Sequence, residues 1–394
     1  MTPDFEAAKE HFAGGVAAFE AGRFADAERE FLASLALVPA RVSTLANLAA
    51  TRIKLSRPEE ALAVLEQALA ADPDNVDARC HRGEALADLG RHDEALACFD
   101  RVVRVAGHPD LAWYHRASAL AALQRHGEAL ADLERFLAAR PDHADAWFRH
   151  GQALQRLDRH EQALASYAQA LALDPELAPA WSSRGSILTD LRRMDEAAHA
   201  FERALACGGD PELNGYFLAA VTGGPAPAVA PPQYVQSLFD DYAGAFDEHL
   251  TKVLRYRAPA VLIENLPGRG GRRFRRALDL GCGTGQCGPL VKAIAERVDG
   301  VDLSAQMLGQ ARALGAYEGL EQAEIVAYLQ AADLRYDLVL AADVFIYVGD
   351  LESVFAGVRR VLDPGGVFCL SAELAGGDGD FELKPTLRYG QSED

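Results

Sequence analysis

The chain has 394 residues, long for one domain, and 49% of them are hydrophobic, enough for each half to bury its own core. A formal net charge of −19, spread over both halves, repels phosphate backbones and excludes nucleic acid as an expected partner. The opening MTPDFEAAKE is unlike a secretory signal and no apolar run reaches the ~18 residues of a span, so cytoplasmic residence and no membrane partner are expected.

The first half is periodic. Alanine recurs at Ala27, Ala61, Ala95, Ala129, Ala163 and Ala197, each 34 residues after the last. Four residues on come Phe31, Leu65, Phe99, Leu133, Tyr167 and Phe201, and twelve before come Gly15, Ala49, Gly83, Ala117, Gly151 and Gly185. Pro39, Pro73, Pro141 and Pro175 keep the same step, with Gly107 and Gly209 in the other slots. Small residues let two antiparallel helices approach closely, a large residue plugs the gap, and Pro or Gly ends the second helix. This pattern resembles six tetratricopeptide repeats over roughly residues 6–210, with a capping helix at 211–221, so residues 1–221 form one all-α superhelical domain. The resemblance implies a concave groove that takes a peptide or protein ligand; scaffolding or self-association is the alternative. Asn47, Arg82, His115, Arg149 and Arg184 are the polar candidates for that groove.

Residues 222–233, TGGPAPAVAPPQ, predict an extended, semi-stiff linker. In residues 234–250 the positions Val235, Leu238, Phe239, Tyr242 and Phe246 recur at helical spacing. That helix either docks the second domain or covers a ligand pocket. A basic run (Arg269, Arg272, Arg273, Arg275, Arg276) follows in a Gly-rich stretch, read as a solvated loop or an anion contact.

Residues 234–394 then alternate strand and helix. RALDLGC, VDGVDLS, GLEQAEI, YDLVLAADVF and GGVFCLSAEL read as strands; GPLVKAIAERV, AQMLGQARAL and DLESVFAGVRRVL read as helices. Such alternation predicts a doubly wound parallel sheet with its ligand at the carboxyl ends of the strands. Six scattered cysteines include no C-x-x-C pair, which argues for a reducing compartment and no metal site. Within ALDLGCGTGQCG the spacing Gly283, Gly285, Gly288 satisfies a dinucleotide fingerprint. Asp279, two residues before Gly281, opposes that reading, because a carboxylate beside a diphosphate is repulsive. A ligand with an α-ammonium and a sulfonium, S-adenosylmethionine, reverses the sign. Gly281, Gly283 and Gly285 then let the backbone close on its methionine part. Asp302 can accept from both ribose hydroxyls, Leu303 and Met307 flank the adenine, Glu324 accepts from its amine, and Ile325 adds an apolar wall.

At these residues the chain resembles class I S-adenosylmethionine-dependent methyltransferases with a Rossmann-like fold. LFDDYAGAFDEHL is similar to the opening of a bacterial subgroup that fuses tetratricopeptide repeats to a ubiquinone-biosynthesis-like methyltransferase. The resemblance brings Tyr242 near the cofactor. Candidates for a general base are Asp343, Tyr347, Glu373 and His249, with Asp343 first because it ends strand four. Sheets of this family carry seven strands, and the Gly/Asp-rich tail after strand five is too short for two strands and a helix. A C-terminally truncated sheet of about five strands, with strand five a bare edge, is expected. The functional expectation is methyl transfer to an acceptor recruited by the repeats; the alternative is an interaction scaffold with a vestigial methyltransferase domain.

Overall fold

The structure is a computed structural model that describes residues 3–105, 110–248, 250, 255–267, 272–376 and 379–392. Gly107, His249 and Arg269 lie outside these residues, and so does the side chain of Tyr242. The chain divides into two compact units, residues 1–187 and 188–394.

Helices follow the 34-residue step. They are α1 (Pro3–Glu20), α2 (Phe24–Leu37), α3 (Val42–Lys54), α4 (Pro58–Ala71), α5 (Val76–Asp88), α6 (His92–Val105), α7 (Asp110–Ala122), α8 (His126–Ala139), α9 (Ala144–Arg156), α10 (His160–Leu173), α11 (Ala178–Asp190), α12 (Met194–Ala206) and α13 (Pro211–Thr222). None is long and apolar enough to cross a membrane among the described residues. The packing explains the two residue series of the sequence. A Cβ added at Gly15, Gly83 or Gly151 would stand 2.6, 2.5 and 2.5 Å from a ring atom of Phe31, Phe99 and Tyr167. Glycine therefore stands where the residue sixteen positions on is aromatic. Where that residue is Leu65 or Leu133, the small position is Ala49 or Ala117, and all four are buried.

The turn inside each repeat is a left-handed residue. Gly22, Ser56, Gly90, Gln124, Asp158 and Arg192, again 34 apart, have φ between 56° and 72°. In each case the next amide, from Arg23 to Arg193, reaches back five residues to a helix carbonyl at 2.8–2.9 Å, closing the first helix.

In the second unit, α14 (Pro232–Glu248) and α15 (Ala258–Glu264) precede β1 (Phe274–Leu280). Then follow α16 (Gly288–Lys292), β2 (Ala295–Asp302), α17 (Ala305–Ala313), β3 (Gly319–Gln322), α18 (Ile325–Ala331), β4 (Tyr336–Ala341), a 3-10 turn (Phe345–Tyr347), α19 (Glu352–Val361) and β5 (Leu362–Leu370). The parallel sheet has the order β3-β2-β1-β4-β5, with β5 at an edge. Leu278, Val301 and Val339 pack with α18 and α19, while Ala277, Val298 and Leu338 pack with α15 and α16. This is the doubly wound, Rossmann-like arrangement expected, with five strands.

Several expectations need correction. The helix read from GPLVKAIAERV stops at Lys292, because β1 offers Ala295–Val301 a parallel hydrogen-bond ladder. The short helices α15 and α18 are additions that the strand–helix alternation does not contain. The tail is not strandless: β6 (Phe381–Leu383) and β7 (Tyr389–Gln391) form an antiparallel pair apart from the main sheet. Residues 222–233, read as an extended, semi-stiff linker, have fixed backbone partners. The amide of Ala230 donates to the Tyr347 carbonyl (3.0 Å), and the amides of Gly349 and Asp350 donate to Ala228 (2.8 and 2.9 Å). The tail and this segment share an apolar cluster with α13, in which Tyr216, Ala230 and Tyr389 are buried. The capping helix α13 lies within the second compact unit. The basic run is not a free loop either. Arg275 and Arg276 lie in β1 and pair with Asp363 (2.6 Å) and Asp299 (2.5 Å).

Candidate functional site

The turn after β1 needs backbone that only glycine adopts easily. Gly281, Gly283 and Gly285 have φ of 62°, 53° and 93°. At Gly281 a Cβ would collide with Val344 at 2.5 Å, and at Gly285 with Leu314 at 2.9 Å, whereas open space lies before Gly283. The Gly283 amide donates to Asp302 Oδ2 (2.8 Å), and the Ser304 amide donates to Oδ1 (2.9 Å). Burial pushes the Asp302 carboxyl above the usual range, and these amides oppose the shift. The end of β2 is thereby locked onto the turn that ends β1.

These residues floor a cavity of about 740 Å³ at the carboxyl ends of the strands, a size typical of small-molecule sites. Gly281, Gly283, Asp302, Leu303, Glu324, Ile325 and Asp343 all line it. Three predicted residues do not. Met307 is fully buried in α17. Gly285 packs against Leu314 and Tyr317. Asp279 is 1% exposed and accepts a hydrogen bond from the Tyr317 hydroxyl at 2.7 Å. Burial raises the Asp279 carboxyl to about 7, with the Tyr317 bond working against that rise. The charge argued from sequence to discriminate ligands is therefore held beneath the turn, not on the cavity wall. β3 stops at Gln322, and Glu324 stands at a helix start, the alternative to a strand end: it is the N-cap of α18, accepting from the amides of Val326 (2.9 Å) and Ala327 (2.7 Å).

Residues 278–370 match the family model of a methyltransferase domain, and overlapping segments from 46 to 211 match that of the tetratricopeptide repeat. The chain carries tetratricopeptide repeats ahead of a class I methyltransferase domain. It is 33% identical to a malonyl-[acyl-carrier protein] O-methyltransferase of Enterobacter lignolyticus, over 36% of this chain and 55% of that protein. It is 34% identical to the ubiquinone/menaquinone biosynthesis C-methyltransferase UbiE of Desulfotalea psychrophila, over 34% of this chain and 55% of that one. The chain spans just over half the length of these relatives. A thermophilic tetratricopeptide-repeat protein of Thermus thermophilus superposes with a TM-score of 0.40 at 24% identity, covering 46% of this chain and 99% of that one.

The methyltransferase domain closes its cavity with α14. Phe239 and Phe246, one heptad apart, line it and meet edge to face at 5.9 Å. The acid after each aromatic latches the helix down. Asp240 accepts from the Ser304 hydroxyl (2.5 Å); Asp247 accepts from Thr284 (2.5 Å) and Gln286 (2.8 Å). Its geometry fits both readings of this helix: the latches dock it on the domain, and Phe239 and Phe246 cover the pocket. Among the base candidates, Asp343 has φ of +56° and accepts from the Ser371 hydroxyl at 2.6 Å. Glu373 pairs with Lys384 at 2.7 Å, and Tyr347 stacks edge-on with Phe239 at 5.5 Å. All three line the cavity. Tyr256 is a site residue that the sequence does not flag. Its hydroxyl donates to Asp343, burial raises its pKa, and it too lines the cavity. No periodicity marks it, because it stands in the irregular chain before α15.

Proposed function

We propose that the methyltransferase domain binds S-adenosylmethionine in this cavity and transfers its methyl group to an acceptor, while the repeats hold a peptide or protein partner. The observation that carries this reading is the charge of the wall. Asp302, Glu324, Asp343 and Glu373 face the cavity, with Arg388 the one cation lining it among the described residues. Such a wall repels a diphosphate and attracts a ligand with ammonium and sulfonium groups. Asp302 accepts from the Gly283 and Ser304 amides and lines the cavity, so its carboxylate is oriented to accept from ribose hydroxyls. The Glu324 oxygens are used alike and keep capacity for an adenine amine. Leu303 and Ile325 supply the apolar faces, Gly281 and Gly283 the close backbone, and the resemblance brings Tyr242, on the covering helix, near the cofactor.

When bound, the sulfonium supplies an activated methyl group and its own leaving group. The chain's residues align the reactants, and orientation alone is worth ~7–11 kcal/mol. Asp343 takes the acceptor's proton where the nucleophile arrives protonated; the hydrogen bonds from Ser371 and Tyr256 fix the direction of its carboxylate. Calorimetry with S-adenosylmethionine tests this. The full chain should bind, and Asp302→Ala should bind at least about tenfold more weakly, since two charge-assisted hydrogen bonds are lost. Absence of heat with the intact chain contradicts the reading.

A further inference from the structure

The sheet order divides the cavity. Asp302 ends β2 and Glu324 follows β3, so a nucleoside held by them occupies the β1–β2–β3 side. The volume beside β4 and β5 then belongs to the acceptor; this division rests on the methyl-transfer reading. Its lining is apolar where Phe239, Tyr347, Val348 and Val229 meet it, and one cation enters there, Arg388.

Arg388 is delivered by a built element. Leu387, at φ +60°, turns the chain between β6 and β7, and its carbonyl accepts from the buried Tyr216 hydroxyl at 2.7 Å. On the other side the Tyr389 hydroxyl donates to the Pro227 carbonyl at 2.8 Å, and Gln391 donates to the Val348 carbonyl at 2.7 Å. Tyr389 is fully buried. These bonds fasten the β6–β7 pair to the segment that walls the cavity. Lys384, in the same pair, is spent on Glu373. The Arg388 guanidinium has no carboxylate within 4 Å among the described residues, in a chain with 58 acidic side chains. A guanidinium is always charged and presents paired donors, so its natural complement is a planar oxyanion.

We infer that the acceptor is an apolar molecule bearing a carboxylate, held by Arg388 at the β4–β5 end of the cavity. A carboxylate is favoured over a phosphate because the cavity already faces Asp302, Asp343 and Glu324, and a second negative charge on the ligand adds repulsion.

The test uses the full chain, wild type and Arg388→Gln, titrated by calorimetry with decanoate, decanol and decyl phosphate. Titrations run with and without saturating S-adenosylhomocysteine. Arg388→Gln should bind decanoate at least about tenfold more weakly than wild type, with decanol unchanged between them. Arg388→Lys should recover part of the decanoate affinity, and melting curves of both variants should match wild type. Equal decanoate affinity in wild type and Arg388→Gln overturns the inference, as does decanol binding as tightly as decanoate. Decyl phosphate binding more tightly than decanoate overturns the choice of carboxylate. S-adenosylhomocysteine affinity should not depend on Arg388; its absence in every chain counts against the methyl-transfer reading, while the decanoate comparison without it still reports on Arg388.

Discussion

Asp279 and Asp302 show how much a carboxylate's surroundings decide its use. Both stand at strand ends beside the same turn, yet Asp302 lines the cavity and Asp279 is sealed against Tyr317. Burial raises Asp279 to about 7, against about 4 in an unfolded chain. Between those values the native state keeps a proton that the unfolded chain has released, so its contribution to stability falls as pH rises from about 4 to about 7 and is level above. Asp279→Asn keeps an acceptor for the Tyr317 hydroxyl and removes that loss. The variant should melt with wild type near pH 4 and above it at pH 8; a difference independent of pH contradicts the assignment. Asp343 is tested by its amide too, because asparagine tolerates the left-handed backbone found there. Asp343→Asn should lower the methyl-transfer rate ~10²–10⁴-fold for an acceptor that must lose a proton, and weaken S-adenosylmethionine binding far less than Asp302→Ala does, since the other acids of the wall remain. An unchanged rate removes Asp343 from the chemistry.

At the scale of elements, the repeats are matched by size. Gly83 faces the Phe99 ring, while Ala49 and Ala117 stand where Leu65 and Leu133 take the ring's place. Gly83→Ala should destabilise the chain by ~1–3 kcal/mol through overpacking, read by urea denaturation. Adding Phe99→Leu should recover much of that loss by recreating the Ala–Leu pairing. Additive effects of the two changes would contradict direct packing between them. The left-handed turns offer the opposite sign. Gln124 holds φ of 60° where Gly22 and Gly90 hold 71° and 72°. Gln124→Gly should stabilise by up to ~1 kcal/mol, since a Cβ in that conformation carries a steric penalty; destabilisation would show that the side chain matters more than the backbone.

Across the whole molecule, legibility followed periodicity. The repeats could be read to the residue because stacking imposes one spacing on Ala27 through Ala197. The order of β1 to β5 was readable because each strand ends at a turn residue or a helix start. What escaped depended on partners far off in sequence. Tyr317 lies 38 residues from Asp279, and the three-residue strand β7 is held through Tyr389 to Pro227, 162 residues earlier. Short strands in a Gly/Asp-rich tail have no pattern of their own, and only the apolar cluster around Tyr216 makes them strands. The linker's composition describes an extended, semi-stiff chain but not where it is held: Ala228 and Ala230 have partners in residues 347–350. The candidate site was visible as glycines and strand-end acids, and its covering helix as one of two readings, but its cation and the inward turn of Asp279 were not.

The most direct test is to titrate the full chain with S-adenosylmethionine and, separately, with NADH under identical conditions. We predict saturable binding of the sulfonium compound and none of the dinucleotide. Binding of NADH with no binding of S-adenosylmethionine would contradict the acidic cavity as a methyl-donor site.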